Sequence, residues 1–413
     1  MRRVVITGIG VVSPAGIGKD DFWKSMTGGR SCIRKITKFD ASELSSQIAG
    51  EVEGFEPGEY IKNPKNIRRM DVSSQYAIAA TKMSVEDSGI DLSREDPERI
   101  GLFVGSAVGS PVFLEKQIMS FYEKGIKSIS PFMGIAFFPC SHLGFISIEF
   151  GIKGSSATLS TGCTSGHTAV GTALNDIRLG KSDMAIAGGT ESPLIPFVLQ
   201  SFCVIHAVST RNDEPEKASR PFDKERDGFV LAEGCGILLL EELEHALRRN
   251  AHIYAEIAGF GATCNAFHMT APTEDAKETA RAMKLALDDA GVKPGEIDNI
   301  NAHGSSTPLN EVAETMAIKQ VFGENAYRIP VNSIKSMIGH ALGGAGAIQA
   351  VASVLTIENG LIPPTINYEH PDSACDLDCV PNEARSARVD AVLQNGCGFS
   401  GLNAALVFRK FQG

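Results

Sequence analysis

Short apolar, β-rich runs alternate with longer stretches of helical periodicity along this chain. Ile100 to Val104, Met184 to Ala187, Ile237 to Leu240, Ile297 to Asn301 and Ile329 to Ile334 have the pattern of buried strands. Between them, Ser73 to Ser88, Thr164 to Leu179, Glu274 to Ala290, Glu311 to Val321 and Ala345 to Glu358 repeat their apolar positions as helices do. Continuous apolar strands alternating with helices predict an α/β chain whose helices cover the sheet. No low-complexity linker separates independent domains.

A weak internal repeat adds to this. The segment Met83 to Ile90 resembles Leu285 to Val292, and in each a glycine, Gly89 or Gly291, is placed to stop a helix. The helix ending Leu179-Gly180 likewise echoes the one ending Asn359-Gly360. Two matches in one order predict duplicated halves, residues 1–255 and 256–413.

With 413 residues, 43% of them hydrophobic, the chain can bury a large core. A net charge of −10 argues against general nucleic-acid binding, though a local basic patch can still attract an acidic partner. The strand-like run from Val4 begins too early, and lacks the flanks, for a signal peptide. No window of apolar residues is long enough to span a membrane, so a soluble cytoplasmic protein is expected. Nine cysteines suit a reduced chain, and the pair Cys375 and Cys379 lacks the second pair or histidine cluster of a zinc site, so no metal is expected. Gly8-Ile9-Gly10 opens like a dinucleotide fingerprint, but Ser13 and Pro14 stand where the motif needs a small residue and a running helix. It reads as a strand and a glycine-rich turn.

Chemistry concentrates in three places. Cys163 lies in Thr161-Gly162-Cys163-Thr164-Ser165-Gly166-His167, where a strand-like segment gives way to a helix. A helix start favours the thiolate, so a lowered pKa is expected, and its free N–H groups can bind a developing oxyanion. His303 and His340 each follow a predicted strand and stand among glycine and hydroxyl residues. Sites in α/β sheets gather at the carboxyl ends of strands, which puts all three residues on a common edge. An acyl group on Cys163 could be attacked by the carbanion left when a malonyl thioester loses CO₂, and two imidazoles could hold the enolate oxygen. That chemistry requires neither nicotinamide nor metal.

Cys163, His303 and His340, with Lys335 inside Lys335-Ser336-Met337-Ile338-Gly339-His340, resemble the Cys-His-His set of β-ketoacyl-acyl-carrier-protein synthases, nearest the elongating type II enzymes. The similarity runs from Val4 to Phe408 and includes Ser209 to Asp213, Arg220 to Asp223, Arg226 to Val230 and Phe267 to Thr270. It implies a thiolase-like fold of five αβαβα layers in two duplicated halves, assembled as a homodimer. It also implies acyl transfer from the phosphopantetheine of an acyl carrier protein, then condensation with malonyl carrier protein, without a cofactor. The N–H groups of Cys163 and Phe399 would form the oxyanion hole, and Phe399 would gate the site. Lys335 would sit near Glu314, as an ion pair or in direct support of the histidines. Thr270, Ser305 and Thr307 would line the phosphopantetheine tunnel, and Val108 and Phe202 the acyl pocket. Lys65, Arg68, Arg69 and Lys127 match the family's docking patch for an acidic carrier.

Departures from the family pattern carry expectations of their own. Ser400 replaces a hinge glycine, and Cys397 and Leu402 also differ; a side chain at Ser400 restricts positive φ, so gate motion or acyl selectivity should change. Val108 stands in place of a larger isoleucine, a change that discriminates by about 1–3 kcal/mol. Ser110, Pro111, Phe113, Met133 and Gly134 diverge too, which points to a specialised substrate. Ser128 and His206 replace basic docking residues, so weaker or pH-sensitive docking is expected.

Three rivals fit less well. A thiolase using coenzyme A needs a second cysteine motif, and the surroundings of Cys397 match the gate instead. An initiating synthase pairs its cysteine with His and Asn. A non-catalytic partner subunit that sets chain length lacks the cysteine that stands here at Cys163.

Overall fold

A computed structural model describes all residues 1–413. Besides the two-residue strand Gly16–Ile17, which pairs with the end of β1, ten strands build its main sheet: β1 (Val4–Ser13), β2 (Ile100–Gly105), β3 (Ser156–Leu159), β4 (Met184–Glu191), β5 (Gly234–Glu242), β6 (Ala255–Cys264), β7 (Asn299–Asn301), β8 (Val331–Asn332), β9 (Ala391–Gly398) and β10 (Leu402–Arg409). Outward from β1 the order is β1-β5-β4-β2-β3, and outward from β6 it is β6-β10-β9-β7-β8. The two orders are identical when five is added to each index. The directions repeat as well: β1–β5 and β6–β10 are antiparallel, as are β4–β5 and β9–β10, while the outer pairs are parallel. The two halves meet along a narrow seam, where Val5 pairs with Glu256 and Ile6 with Ala255.

Five long helices complete the layers: α1 (Val72–Ser88), α2 (Ser165–Arg178), α3 (Lys277–Ala290), α4 (Asn310–Phe322) and α5 (Leu342–Asn359). α1 covers β1 and β5 from outside, and α3 covers β6 and β10. α2 and α5 lie between the two halves of the sheet and touch strands of both, which gives the αβαβα stack. The sequence of α5 explains its place. It is buried on every side from Leu342 to Ile357, and its Gly343, Gly344, Ala345, Gly346 and Ala347 allow backbones to approach closely. Gly89, Gly291 and Gly360 end α1, α3 and α5 in the left-handed conformation that a glycine accepts without strain.

Differences from the sequence reading have local causes. The strand read from Ile297 begins only at Asn299, because Pro294–Glu296 forms a 3-10 turn. The run Ile329 to Ile334 keeps two strand residues, since Pro330 has no N–H and a helical turn starts at Lys335. The helix read from Glu274 begins at Lys277, after Ala276 takes a φ of +50°. β6, β9 and β10, and the helices Pro111–Lys124, Ser141–Phe150 and Pro196–Cys203, were not among the elements that periodicity marked. Cys375 and Cys379 lie buried in the apolar cluster of the second half. No helix is long and apolar enough to cross a membrane.

Tight packing of α2 against β6 gives a test. A Cβ at Gly171 would lie 2.3 Å from the Phe260 ring. Gly171→Ala should therefore lower stability by about 1–3 kcal/mol. Phe260→Leu should restore much of that loss in a double-mutant cycle of thermal unfolding, and simple additivity would show that the contact is slack.

Candidate active site

Cys163, the nucleophile expected from the sequence, sits on a short 3-10 turn, Gly162–Thr164, that runs directly into α2. Gly162 takes a φ of +59°, and Ser165 Oγ donates to its carbonyl at 2.6 Å while accepting from Thr161 N–H at 2.9 Å. These bonds hold Cys163 half-buried among Leu199, Phe202, Phe229, Leu342 and Ala107. The expectation of a lowered thiol pKa is overturned: burial in this apolar cluster pushes the Cys163 thiol up to about 11. The Lys335 charge and the Phe399 N–H pull the other way without winning. Desolvation outweighs the helix start here, because the thiolate would lose most of its water.

The two histidines face each other, with ring centroids 5.2 Å apart and planes at 79°. His340 is fixed by its surroundings. Its N–H donates to the Val230 carbonyl at 2.7 Å, and its Nδ1 accepts from Leu342 N–H at 3.2 Å. Leu342 reaches that position at a φ of +42°, a strained conformation for a leucine. An accepting Nδ1 places the ring proton on Nε2, which is buried without a partner and free to donate.

His303 is held through its backbone. Its N–H and that of Gly304 donate to Glu314 at 2.7 and 2.8 Å, and its carbonyl accepts from Lys335 Nζ at 2.6 Å. Glu314 also accepts from Asn395 Nδ2 at 2.8 Å. Lys335 makes its other bond to Gln349 Oε1 at 2.7 Å and forms no ion pair with Glu314, which corrects that alternative. Burial pushes Lys335 down to about 8, against the pull of Glu314. Burial first, and the Lys335 charge second, hold both histidines well below their ordinary range, so both are neutral at pH 7. Two neutral imidazoles facing each other can donate hydrogen bonds to an oxygen that gains negative charge.

Comparisons with known proteins bear on this arrangement. The model for the N-terminal domain of β-ketoacyl synthases matches residues 1–246, and that for the C-terminal domain matches residues 254–369. The chain is 46% identical over 413 residues to a 3-oxoacyl-[acyl-carrier-protein] synthase 2 of Coxiella burnetii, covering 99% of each. It is 46% identical over 412 residues to a putative polyketide β-ketoacyl synthase 1 of Streptomyces cyaneus, covering 98% of this chain and 97% of that one. Among solved structures, a type II polyketide acyl-carrier protein in complex with its ketosynthase bound to the hexaketide superposes with a TM-score of 0.92 at 38% identity, covering 99% of this chain and 100% of that one. The chain belongs to the β-ketoacyl synthase family.

Around the centre of this synthase, the remaining residues fall into groups. Phe399 stands at the end of β9, and a row of rings joins it to the histidines: Phe399–Phe202 at 6.3 Å, Phe202–Phe229 at 5.3 Å and Phe229–His340 at 5.5 Å. Ser400 adopts φ +67° and ψ 9°, the left-handed conformation that glycine takes freely. Its N–H donates to the Met269 carbonyl at 2.6 Å, and Asn265 N–H donates to the Gly401 carbonyl at 2.8 Å. The turn Phe399–Gly401 is thereby tied to the segment that bears Thr270, whose side chain is exposed. Ser305 Oγ and Thr307 Oγ1 lie 2.9 Å apart, and Arg226 holds this loop by the carbonyls of Thr307 and Pro308, both at 3.0 Å.

Val108 is 38% exposed and lies outside the apolar cluster that surrounds Cys163. Lys65 and Arg68 are exposed beside the short helix Pro64–Ile67, and Lys127 is exposed on the separate turn Ile126–Ser128. Arg69 is half-buried, its guanidinium 4.7 Å from the centre of the Phe132 ring. His206 is exposed at a φ of +54°, and Ser128 Oγ donates to the Ser120 carbonyl at 2.7 Å.

Two residues were missed in the sequence. Glu191 is fully buried and accepts from Ser106 Oγ, Ala107 N–H, Val108 N–H and Gly343 N–H at 2.6–3.2 Å, with its pKa pushed up to about 7 by burial. It ties the Val108 turn to the first turn of α5. His167, one helical turn after Cys163, is buried between Gly346 and Gly396, where a Cβ on either glycine would come within 2.4 Å of its ring. Glu191 ends a strand and His167 lies inside the Cys163 motif, so only their lack of water, which sequence does not display, marks them.

The histidine electrostatics make a pH prediction. A histidine with a lowered pKa stays neutral until the pH falls below that value, so malonyl decarboxylation should not decline as pH falls through 6.5 on account of His303 or His340. Lys335→Met removes a nearby positive charge and raises both values, so its acidic limb should move to higher pH. A limb at the same pH in both proteins would show that Lys335 does not set the histidines' protonation.

Proposed function

We propose that this β-ketoacyl synthase catalyses decarboxylative Claisen condensation in acyl-chain elongation. Cys163 sulfur attacks an acyl thioester, forming the S–acyl bond as the carrier thiol leaves with the Cys163 proton. Malonyl thioester then loses CO₂, and the enolate oxygen accepts hydrogen bonds from His303 and His340. The enolate carbon attacks the acyl carbonyl, whose oxygen turns towards the N–H groups of Cys163 and Phe399. Collapse releases the 3-oxoacyl product and the Cys163 thiolate, which regains a proton from solvent. The observation that carries this reading is the fixed tautomer of His340, whose unpaired Nε2–H stands opposite His303.

Acyl carrier protein is the proposed source of both thioesters. Lys65, Arg68, Arg69 and Lys127 form no ion pair within the chain and are free to meet an acidic surface. A second copy of the chain is the proposed partner at the apolar residues Tyr122, Phe137 and Phe138, which are 80%, 66% and 58% exposed and flank the Lys127 turn. Nine unpaired cysteines suit the reducing cytoplasm. The left-handed Ser400 supports a specialised acyl selectivity exercised through the gate.

Mass spectrometry after incubation with acyl carrier protein should show an acyl adduct on Cys163, and reversal of Lys65 and Arg69 to Glu should slow its formation. No adduct on Cys163 would support a non-catalytic partner role. A second measurement concerns the gate. Ser400→Gly relieves left-handed strain of about 1 kcal/mol while loosening the unfolded chain by a similar amount. Stability should therefore change little, while acylation rates should shift unequally across chain lengths. Equal rates at every length would remove Ser400 from selectivity.

A further inference from the structure

Glu191, at the end of β4, is a buried carboxylate to which the condensation chemistry gives no part. Its four partners are one hydroxyl and three backbone N–H groups, and none of them is a cation. Oε1 accepts from Ser106 Oγ at 2.8 Å and from Val108 N–H at 3.2 Å. Oε2 accepts from Ala107 N–H at 2.6 Å and from Gly343 N–H at 3.0 Å. A carboxylate is expensive to bury without a counter-charge, and a glutamine is no substitute here, because its amide nitrogen would face N–H groups. The fit is close as well: a Cβ at Gly343 would lie 2.6 Å from Glu191 Oε2 and 2.5 Å from the Ala107 nitrogen. The carboxylate is thus wedged between the 106–108 turn and the start of α5.

The start of α5 is also where the His340 tautomer is decided. Leu342 N–H donates to His340 Nδ1 at 3.2 Å, and the next N–H along the chain, that of Gly343, is the one Glu191 holds. Between those two bonds Leu342 takes a φ of +42°, which a leucine adopts only under constraint. Upstream, His340 is tied through its N–H to the Val230 carbonyl, and downstream α5 is buried on every side. Ring and helix are each anchored, and Leu342 takes up the difference. Its relaxation to negative φ, with α5 fixed, would swing the Ala341–Leu342 peptide and carry the N–H away from the ring.

We propose that Glu191 is a positioning residue for decarboxylation: by holding Gly343 N–H it keeps Leu342 in the left-handed conformation from which its own N–H fixes the His340 ring proton on Nε2. The role in that step rests on the condensation reading, whereas the hold on the tautomer can be read without it. The same carboxylate holds the 106–108 turn, whose Ala107 packs against the apolar cluster with Cys163. Acylation feels that turn only through packing, but decarboxylation depends on a donor whose direction Glu191 sets. Loss of the carboxylate should therefore separate the two steps.

The test uses the full-length enzyme with its histidine rings labelled for nitrogen NMR, His340 being assigned by its loss in His340→Gln. In the native protein Nε2 of His340 should carry the proton, and Glu191→Gln should move part of the ring population to Nδ1–H. Glu191→Gln should also slow CO₂ release from malonyl carrier protein at least about tenfold, as loss of an aligned donor does, while Cys163 adduct formation by mass spectrometry falls less than about threefold. Glycine accepts positive φ without strain, so adding Leu342→Gly to Glu191→Gln should return the proton to Nε2 and recover much of the CO₂ release. Glu191→Asp, one methylene too short to span from the 106–108 turn to Gly343, carries the test if Glu191→Gln does not fold. A tautomer unchanged in the Glu191 variants overturns the proposal, as does an equal fall in CO₂ release and adduct formation, or a tautomer that Leu342→Gly leaves unrestored. No CO₂ release from the native enzyme sinks the condensation reading and this role with it, whereas normal native release with any of the results above sinks this inference alone.

Discussion

A buried cation and a buried anion are held apart by a single peptide group, and much of the site depends on that spacing. Lys335 donates to the carbonyl of His303, and the N–H of Gly304, in the same peptide group, donates to Glu314. Had the two charges met directly, each would have neutralised the other's field and left the loop unattached. With the peptide between them, both pull on the backbone of the catalytic residue from opposite sides. The Lys335 charge also remains available to bias the thiol and both imidazoles. A charge buried without a close counter-charge is normally a liability, and here its protonation is itself marginal near neutral pH.

That arrangement alters the ordinary account of a nucleophile at a helix start. Loss of water dominates at Cys163, so at neutral pH the resting state is the thiol and the proton must leave during the reaction. The Phe399 N–H and the Lys335 charge are the two influences that favour the thiolate against that loss of water. The ring row from Phe399 through Phe202 and Phe229 to His340 gives the turn after β9 a packed connection to the histidine pair.

Legibility in the sequence followed the physics. Cys163, His303, His340 and Lys335 were readable because glycine and small residues surround them in a pattern few other needs would produce. α1, α2 and α5 were readable because their apolar positions persist over many residues and a glycine ends α1 and α5. β9 and β10 were not, because Asn395 to Gly398 breaks the apolar run with residues that serve the site. The lowered thiol pKa failed for a related reason: a helix start is visible in sequence, whereas the phenylalanines and leucines that desolvate Cys163 come from distant segments. Glu314 was legible by resemblance, but its role as acceptor for the His303 backbone needed the fold.

The seam between the halves is only two residue pairs long, yet the groups of the proposed chemistry straddle it: Cys163 belongs to the first half and both imidazoles to the second. A ribosome therefore completes the sulfur's half of the chain long before any group able to stabilise an enolate exists. The nascent chain passes through a stage in which it holds a cysteine but no means of elongating an acyl group.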